Sequence, residues 1–384
     1  MGNIRILNFS THNEECGIAK YQEQFSAQLN LQGEVTSDFF SVSPNITKNL
    51  PKSEYNTVLR QFADELKKYD LLHIQHELSF YKHQELNDIL KLARKMKKPT
   101  VVTVHTAPDA QMPSLKLGGH GPRSVMKYGV DAARKRKFLN VYVTPLNKAE
   151  LILVHNSTTK NNLIKYGTNP NKVKTICIPV PEIEIKSSSK EIKDGLSKKD
   201  TDIIFCTVGF LSRTKGVIDA VKSLMYLPEN YKLAIIGGMH PNSTDGALLD
   251  EITDLITKNS LKERVFITGY VAEDERLNSL IRECDICVYP FNKDYYNYVS
   301  SASLNNAFAN SKPVVAYRTS PFEEIKGRDV INFTSAPNFH ELAKTISKLD
   351  IKKAALASEK YAQEHSYPKE AEKLTLIYRE LLAL

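Results

Sequence analysis

The segment Thr207-Val208-Gly209-Phe210-Leu211-Ser212-Arg213-Thr214-Lys215-Gly216-Val217 decides the fold class. Before it, Ile203 to Cys206 is an unbroken apolar run of strand length. After it, Ile218, Val221, Leu224 and Met225 recur at helical spacing as far as Leu227. The order is therefore strand, loop, helix, with the helix opening at Gly216. Gly209 and Gly216 allow a tight turn and a close approach of backbone to ligand. A helix start offers free N–H groups and partial positive charge. Arg213 and Lys215 add two full charges, expected on the same side. A doubly anionic group, above all a diphosphate, suits that combination.

The same alternation runs outward in both directions. Toward the N-terminus, strands are expected at 3–9, Phe39 to Val42, Leu71 to Gln75, Thr100 to Val104, Leu151 to Val154 and Val173 to Ile178. Helices fall between them, among them Gln84 to Lys98 and Ser157 to Tyr166. Toward the C-terminus, strands are expected at Leu233–Ile236, Val265–Thr268, Ile286–Tyr289, Pro313–Ala316 and Val330–Phe333. Helices there include Ala247–Asn259, Glu273–Glu283 and Ser301–Asn310, and the tail from Asn338 is helical with a break at Pro368. Strands alternating with helices give parallel sheets with right-handed crossovers. The first strand–helix turn lacks G-x-G-x-x-G, which disfavours a nicotinamide or flavin site.

The chain has 384 residues, too many for one ordinary core, and 41% are hydrophobic, enough to build two. Pro179 to Asp202 breaks the pattern with two prolines, three consecutive serines and many charges, and its start is read as the hinge. The division is residues 1–180, residues 181–365, and a last segment, 366–384. Lys and Arg number 52 against 44 Asp and Glu, a net charge of +8. That balance favours anionic partners, whether nucleotides, phosphorylated acceptors, anionic lipid or nucleic acid, without choosing among them. No RNP-like aromatic-basic signature is present, so nucleic acid carries little weight. No secretory leader is read at the start, and no apolar run approaches the about 20 residues of a membrane span. Five scattered cysteines fit a reducing cytoplasm, and Cys284 and Cys287 are read as buried thiols, not as a zinc or redox site. A cytoplasmic protein is expected.

His76, His105, the Arg213/Lys215 loop and the segment from Ser300 to Leu304 all follow predicted strand ends, where open α/β sheets bind ligands. Either histidine alone is more often structural than catalytic. Ser300-Ser301-Ala302-Ser303 has the hydroxyls of a helix cap, and equally those of a second diphosphate contact. Gly269-Tyr270-Val271 follows a strand and presents backbone groups to a base.

Seven segments in order carry a resemblance: Cys16-Gly17-Ile18-Ala19, Ile74-Gln75-His76-Glu77, Val102-Thr103-Val104-His105-Thr106, Gly209 to Gly216, Gly269-Tyr270-Val271, Cys284-Asp285-Ile286 and Lys312-Pro313-Val314-Val315-Ala316. Together they resemble the retaining glycosyltransferases of family 4 over nearly the whole chain. The resemblance implies an α/β fold of the GT-B type, two doubly wound Rossmann-like domains facing a central cleft. It implies a nucleotide-diphosphate-sugar donor, UDP- or GDP-linked, held mainly by the C-terminal domain. The acceptor, a glycan, lipid-linked or protein group, is then held by the N-terminal one, with Gly17 bordering it. It implies that Arg213 and Lys215 grip the diphosphate, that His105 lies against the donor sugar, and that Tyr367 to Leu384 crosses back to the N-terminal domain. Donor contacts are assigned to Gly209, Tyr270, Val271, Ser300, Ser301, Ser303, Leu304 and Asn306. No cofactor is expected, and no metal, because the two cations replace it.

The sequence departs from the family at one place. Aligned on Ala307-Phe308-Ala309, Tyr298 and Asn306 stand where the family carries two glutamates. Asn306 keeps an acceptor oxygen for a ribose diol and gains donors. Tyr298 does not replace a carboxylate. A catalytically weak GT-B subunit that binds a sugar nucleotide or supports a partner enzyme is the alternative reading. Finally, Arg123 to Phe138 and Lys91 to Lys98 concentrate cations in the presumed acceptor domain. They suggest attachment to an anionic membrane surface, or simply two solvated helix faces.

Overall fold

The computed structural model describes residues 3–14, 16–41, 50–77, 85–110, 112, 122–184, 188–239, 246–296, 302–325, 327 and 329–383. Within them the chain forms two six-stranded sheets, each wholly parallel. The first comprises β1 (Ile4–Ser10), β2 (Val35–Ser41), β3 (Leu71–His76), β4 (Thr100–Val104), β5 (Leu151–Val154) and β6 (Val173–Thr175), in the order β2-β1-β3-β4-β5-β6. The second comprises β7 (Ile203–Val208), β8 (Tyr231–Ile236), β9 (Val265–Ile267), β10 (Ile286–Tyr289), β11 (Val314–Ala316) and β12 (Asn332–Phe333), in the order β12-β11-β10-β7-β8-β9. Counted from its own first strand the second order is 3-2-1-4-5-6, that of a dinucleotide-binding sheet. The first follows the related doubly wound order in which the second strand lies outside the first. The expected α/β class with two doubly wound, Rossmann-like halves is therefore what the chain forms.

Contacts divide the chain into two compact units, Met1–Cys177 with Tyr367–Leu384, and Ile178–Asn297 with Ser301–Ser366. The proline-rich stretch after residue 177 is not a free tether. Asn305 Nδ2 donates to the carbonyls of Ile178 and Pro179, each at 3.0 Å, and the short helix Glu191–Gly195 buries Ile192 completely.

Helices cover the sheets because parallel strands need crossovers and leave neither face open to water. One face of the first sheet packs Leu7, Phe9, Leu72, Ile74, Val102, Val104, Ile152 and Val154 into a single apolar cluster with Phe62 and Leu66 of the helix Lys52–Leu66. Each such side chain stabilises the fold by about 1.5–3 kcal/mol on burial. The opposite face is different. Side chains alternate along a strand, so Asn8 on β1, His73 and Gln75 on β3, and Thr103 on β4 share the other face, in the register Asn8↔His73 and Gln75↔Thr103. All four are buried. The helices Gly17–Gln32 and Tyr367–Leu382 cover this polar stripe, and Tyr378 sends its hydroxyl to His73 Nδ1 at 2.7 Å. The second sheet has its own core around Phe205, Leu233, Ile235, Ile286, Val288 and Val315.

Two local expectations change and one holds. The strand expected over Val173 to Ile178 ends at Thr175. The break expected at Pro368 is present: the helix Ile351–Glu364 ends before it, and Pro368 lies in the first turn of the next, Tyr367–Leu382, where its missing N–H costs nothing. The helix expected from Ile218 to Leu227 runs only from Val217 to Ser223, followed by a 3-10 turn over Leu224–Tyr226.

Candidate active site

The loop after β7 leaves the sheet beside its switch point, where β8 lies on one side of β7 and β10 on the other. Gly209 has φ +108°, and Gly216 has φ +66°, both in the left-handed region. Gly216 serves packing rather than a ligand: a Cβ there would overlap the carbonyl oxygen of Pro290, just beyond β10. That corrects the expectation of close ligand approach at this position. Gly209 is different. A Cβ there would lie 2.5 Å from the Lys215 ammonium and 3.9 Å from the Ser303 side chain. The missing side chain thus makes room for Nζ at the carboxyl end of β7, next to the helix Ala302–Ala309.

Arg213 and Lys215 do not face one way, as expected from a plain loop. They stand on a 3-10 turn, Arg213–Lys215, in which residues two apart point about 120° from each other. The Arg213 guanidinium turns outward, half exposed, onto Glu251 at 2.6 Å. The Lys215 ammonium turns inward, and burial pulls its pKa down to about 8. No carboxylate pairs with Lys215 among the described residues. Burying a charge without a partner is costly, so this cation is primed for an anion.

The neighbouring strand ends close the surroundings. Gly237 and Gly269 bridge the ends of β8 and β9, and Leu211 bridges to Met239. Tyr270, half exposed, stacks on Phe210 with centroids 5.5 Å apart and planes 7° from parallel. Val271 is partly exposed beside it. Leu304 is buried, Asn306 is partly exposed, and the Ser303 carbonyl accepts from the Tyr289 hydroxyl at 2.7 Å. Ser300, Ser301, Tyr298 and the glycine-rich stretch 117–121 lie outside the described residues.

In the first unit, Gly17 opens the helix Gly17–Gln32 after β1 and is exposed, with nothing within 4 Å of its would-be side chain. Cys16 caps that helix, its sulfur accepting from the Ala19 N–H at 3.3 Å. His76 and His105 end adjacent strands, and the His105 N–H donates to the His76 carbonyl at 3.1 Å. His76 is buried, and burial takes its pKa to about 4 against a raising contact with the Tyr142 backbone. His105 Nε2 lies 2.8 Å from Gln75 Oε1 and its Nδ1 lies 3.1 Å from His155 Nε2. Tyr21 sets its edge against both rings, at 5.2 and 5.4 Å. Burial, and the neighbouring His155, hold the His105 pKa well below the usual histidine value. The sequence reading assigns no role to His155, just past the end of β5, and names Gln75 only within its strand and the segment Ile74-Gln75-His76-Glu77.

Two family models match nearly end to end. Residues 22–182 match the model described as Glycosyltransferase Family 4, and residues 188–365 the one described as Glycosyl transferases group 1. The chain is a GT-B glycosyltransferase. An uncharacterized glycosyltransferase of Methanocaldococcus jannaschii is 26% identical over 178 residues, which is 46% of this chain and 42% of that relative. The match thus spans less than half of the curated relative's length. Among solved structures, HepE of Anabaena in complex with UDP is similar with a TM-score of 0.70 at 16% identity, covering 99% of this glycosyltransferase and 100% of that chain. Sucrose-phosphate synthase of Thermosynechococcus elongatus gives 0.68 at 18% identity, again covering 99% and 100%. A glycosyltransferase of Rickettsia africae gives 0.70 at 15%, covering 100% and 99%. These likenesses show the fold. The residues of the glycosyltransferase itself must carry the chemistry.

Proposed function

We propose that the chain is a retaining, metal-independent hexosyltransferase that takes its sugar from a nucleoside-diphosphate sugar. The observation that carries this reading is the Lys215 ammonium, drawn against Gly209 beside Ser303 with no carboxylate partner among the described residues. A diphosphate is the anion of matching charge at such a switch point. Arg213 joins it by leaving Glu251. The solved relatives bound to UDP and UDP-glucose favour a UDP-linked donor over a GDP-linked one. Ser300, Ser301, Ser303 and Leu304 serve the phosphates, Tyr270 and Val271 the base, and Asn306 the ribose.

Charge explains the chemistry. As the bond from the sugar's anomeric carbon to the phosphate oxygen breaks, negative charge grows on the diphosphate and positive charge on the ring. Fixed cations stabilise that transition state without reorganising water. The acceptor hydroxyl attacks from the face the phosphate leaves, and its proton passes to the departing phosphate oxygen. No separate carboxylate base is required, and the two cations take the place of a metal. His105 lies against the donor sugar, and the acceptor is a glycan, lipid-linked or protein group on the Gly17 side. Attachment to an anionic membrane surface at the cytoplasmic face places the enzyme beside a lipid-linked acceptor.

Lys215→Ala and Arg213→Ala test the site. Each is expected to lower turnover about a hundred- to a thousandfold while the fold survives. Calorimetry with UDP separates binding from turnover, and Lys215→Ala should lose more binding, because Arg213 is already neutralised by Glu251 in the free protein. Parental binding and turnover in both variants would move the diphosphate elsewhere.

A further inference from the structure

The polar stripe of the first sheet has a direction. Asn8 starts it: its Nδ2 donates to the Asp38 carbonyl at 2.9 Å and to Ser37 Oγ at 2.7 Å. A backbone carbonyl only accepts, so the Asn8 amide has one orientation. Its Oδ1 then accepts from Gln22 Nε2 at 2.7 Å, and Gln22 Oε1 accepts from Gln75 Nε2 at 2.6 Å. Gln75 Oε1 is left facing His105 Nε2 at 2.8 Å, and that nitrogen must carry hydrogen. The amide nitrogen of the same Gln75 lies 3.3 Å from His73 Nε2, which must therefore offer its lone pair. Thr103 Oγ1 meets that lone pair too, at 2.8 Å, and His73 Nδ1 is left to donate to Tyr378. Both rings are held neutral by burial, so each has a single N–H.

We propose that Gln75 fixes His73 and His105 in opposite tautomers, and that Gln75 and His155 are positioning residues for His105 in glycosyl transfer. The tautomer assignment stands on the hydrogen bonds alone. The catalytic part rests on the reading that His105 serves the donor sugar. With hydrogen on Nε2, His105 Nδ1 offers its lone pair to His155 Nε2 at 3.1 Å. Burial keeps His155 neutral with a single N–H, and we place that hydrogen on Nε2, at the cost of the longer 3.3 Å contact from its Nδ1 to the Ile176 carbonyl. Both ring nitrogens are then engaged inside the protein. His105 is not a proton-transfer base; it is a ring and a backbone segment held in one place. A pair of flexible amides, each with two orientations, gains a unique one because a main-chain carbonyl anchors the far end.

Nitrogen-15 NMR of the histidine rings in the full chain, assigned with His73→Gln and His105→Gln, tests the tautomers without substrate. His105 is expected with hydrogen on Nε2 and His73 with hydrogen on Nδ1. Hydrogen on the same nitrogen in both rings, or on Nδ1 of His105, overturns the proposal. Gln75→Glu replaces the donating nitrogen by an acceptor, and should move the His73 hydrogen to Nε2. Turnover should fall about tenfold to a hundredfold by displacing His105, with UDP affinity unchanged. His155→Gln, which can still donate to Nδ1, should keep more activity than His155→Ala. A Gln75→Glu enzyme with switched tautomers and parental turnover removes the positioning role. Loss of UDP binding in Lys215→Ala is read separately, so failure of the donor-site reading would not be mistaken for failure here.

Discussion

Lys215 titrates between the folded and unfolded chains. Its pKa is about 8 in the fold against 10.5 ordinarily. Between those values the unfolded chain holds a proton that the fold does not. Burial of Lys215 therefore costs stability below about pH 8, and the cost fades as pH rises from there through 10.5. A bound diphosphate acts in the opposite sense, because it favours the charged form and raises the pKa again. Nucleotide binding at about pH 9 is thus expected to take up close to one proton, and affinity to fall by up to about tenfold per pH unit above 8. Calorimetry in two buffers of different ionisation heat measures the uptake, and Lys215→Met should abolish it. A flat affinity from pH 7 to 9.5 with no uptake would remove Lys215 from the anion site. The two cations were legible in the sequence because their spacing follows a strand and precedes a helix. Their unequal roles were not, since a 3-10 turn and a distant Glu251 decide which of them is already paired.

Elements were legible where a strand is a short, mostly apolar run bounded by polar residues. β4, β5, β7 and β10 fall on the expected residues, for Thr100–Val104, Leu151–Val154, Ile203–Val208 and Ile286–Tyr289 are short runs of apolar, mostly branched side chains. The helix Lys52–Leu66 was not read, although Tyr55, Val58, Leu59, Phe62 and Leu66 recur at helical spacing and Leu59, Phe62 and Leu66 pack on the core. Leu71-Leu72-His73-Ile74-Gln75-His76 was legible as a strand but not as half of a hydrogen-bonded face, because its partners come from β1, β4 and a helix some 300 residues away along the chain. That distant helix supplies the test at this scale. Tyr378→Phe keeps the ring, which is fully buried, and removes the hydroxyl that meets His73 Nδ1. Leaving that buried N–H without a partner should cost about 1–3 kcal/mol. Urea unfolding followed by circular dichroism should show the loss in one transition, that of the unit holding β1–β6. An unchanged midpoint would mean that water replaces the hydroxyl.

At the scale of the whole molecule, the charge excess has an address. The helix Pro122–Tyr142 carries Lys127, Arg134, Arg136 and Lys137 in solvent, and with them Val125, Met126 and Val130 at 59%, 70% and 46% exposure. Lys91 and Arg94 on the helix Glu85–Lys95 add to the same sign and lower the pKa of Lys148 beyond the effect of its burial. Lys98, counted with them from sequence, turns inward to backbone carbonyls instead. No described helix is long and apolar enough to cross a membrane. Cosedimentation with anionic vesicles at low salt, lost at high salt and absent with neutral vesicles, is the expected result. Equal, negligible binding to both would leave the cations as a solvated face. The last helix, finally, sets a schedule. Tyr367 packs on Tyr21 and Phe25, and Arg379 meets Glu34 at 2.8 Å, so the first half of the chain is closed by its final residues. At about 5–20 residues per second a ribosome needs roughly 10–40 s to make residues 178–366 in between. Through that interval the nascent first sheet waits with Tyr21, Phe25 and the His73 stripe uncovered, while the later-born unit has every strand it needs to fold first.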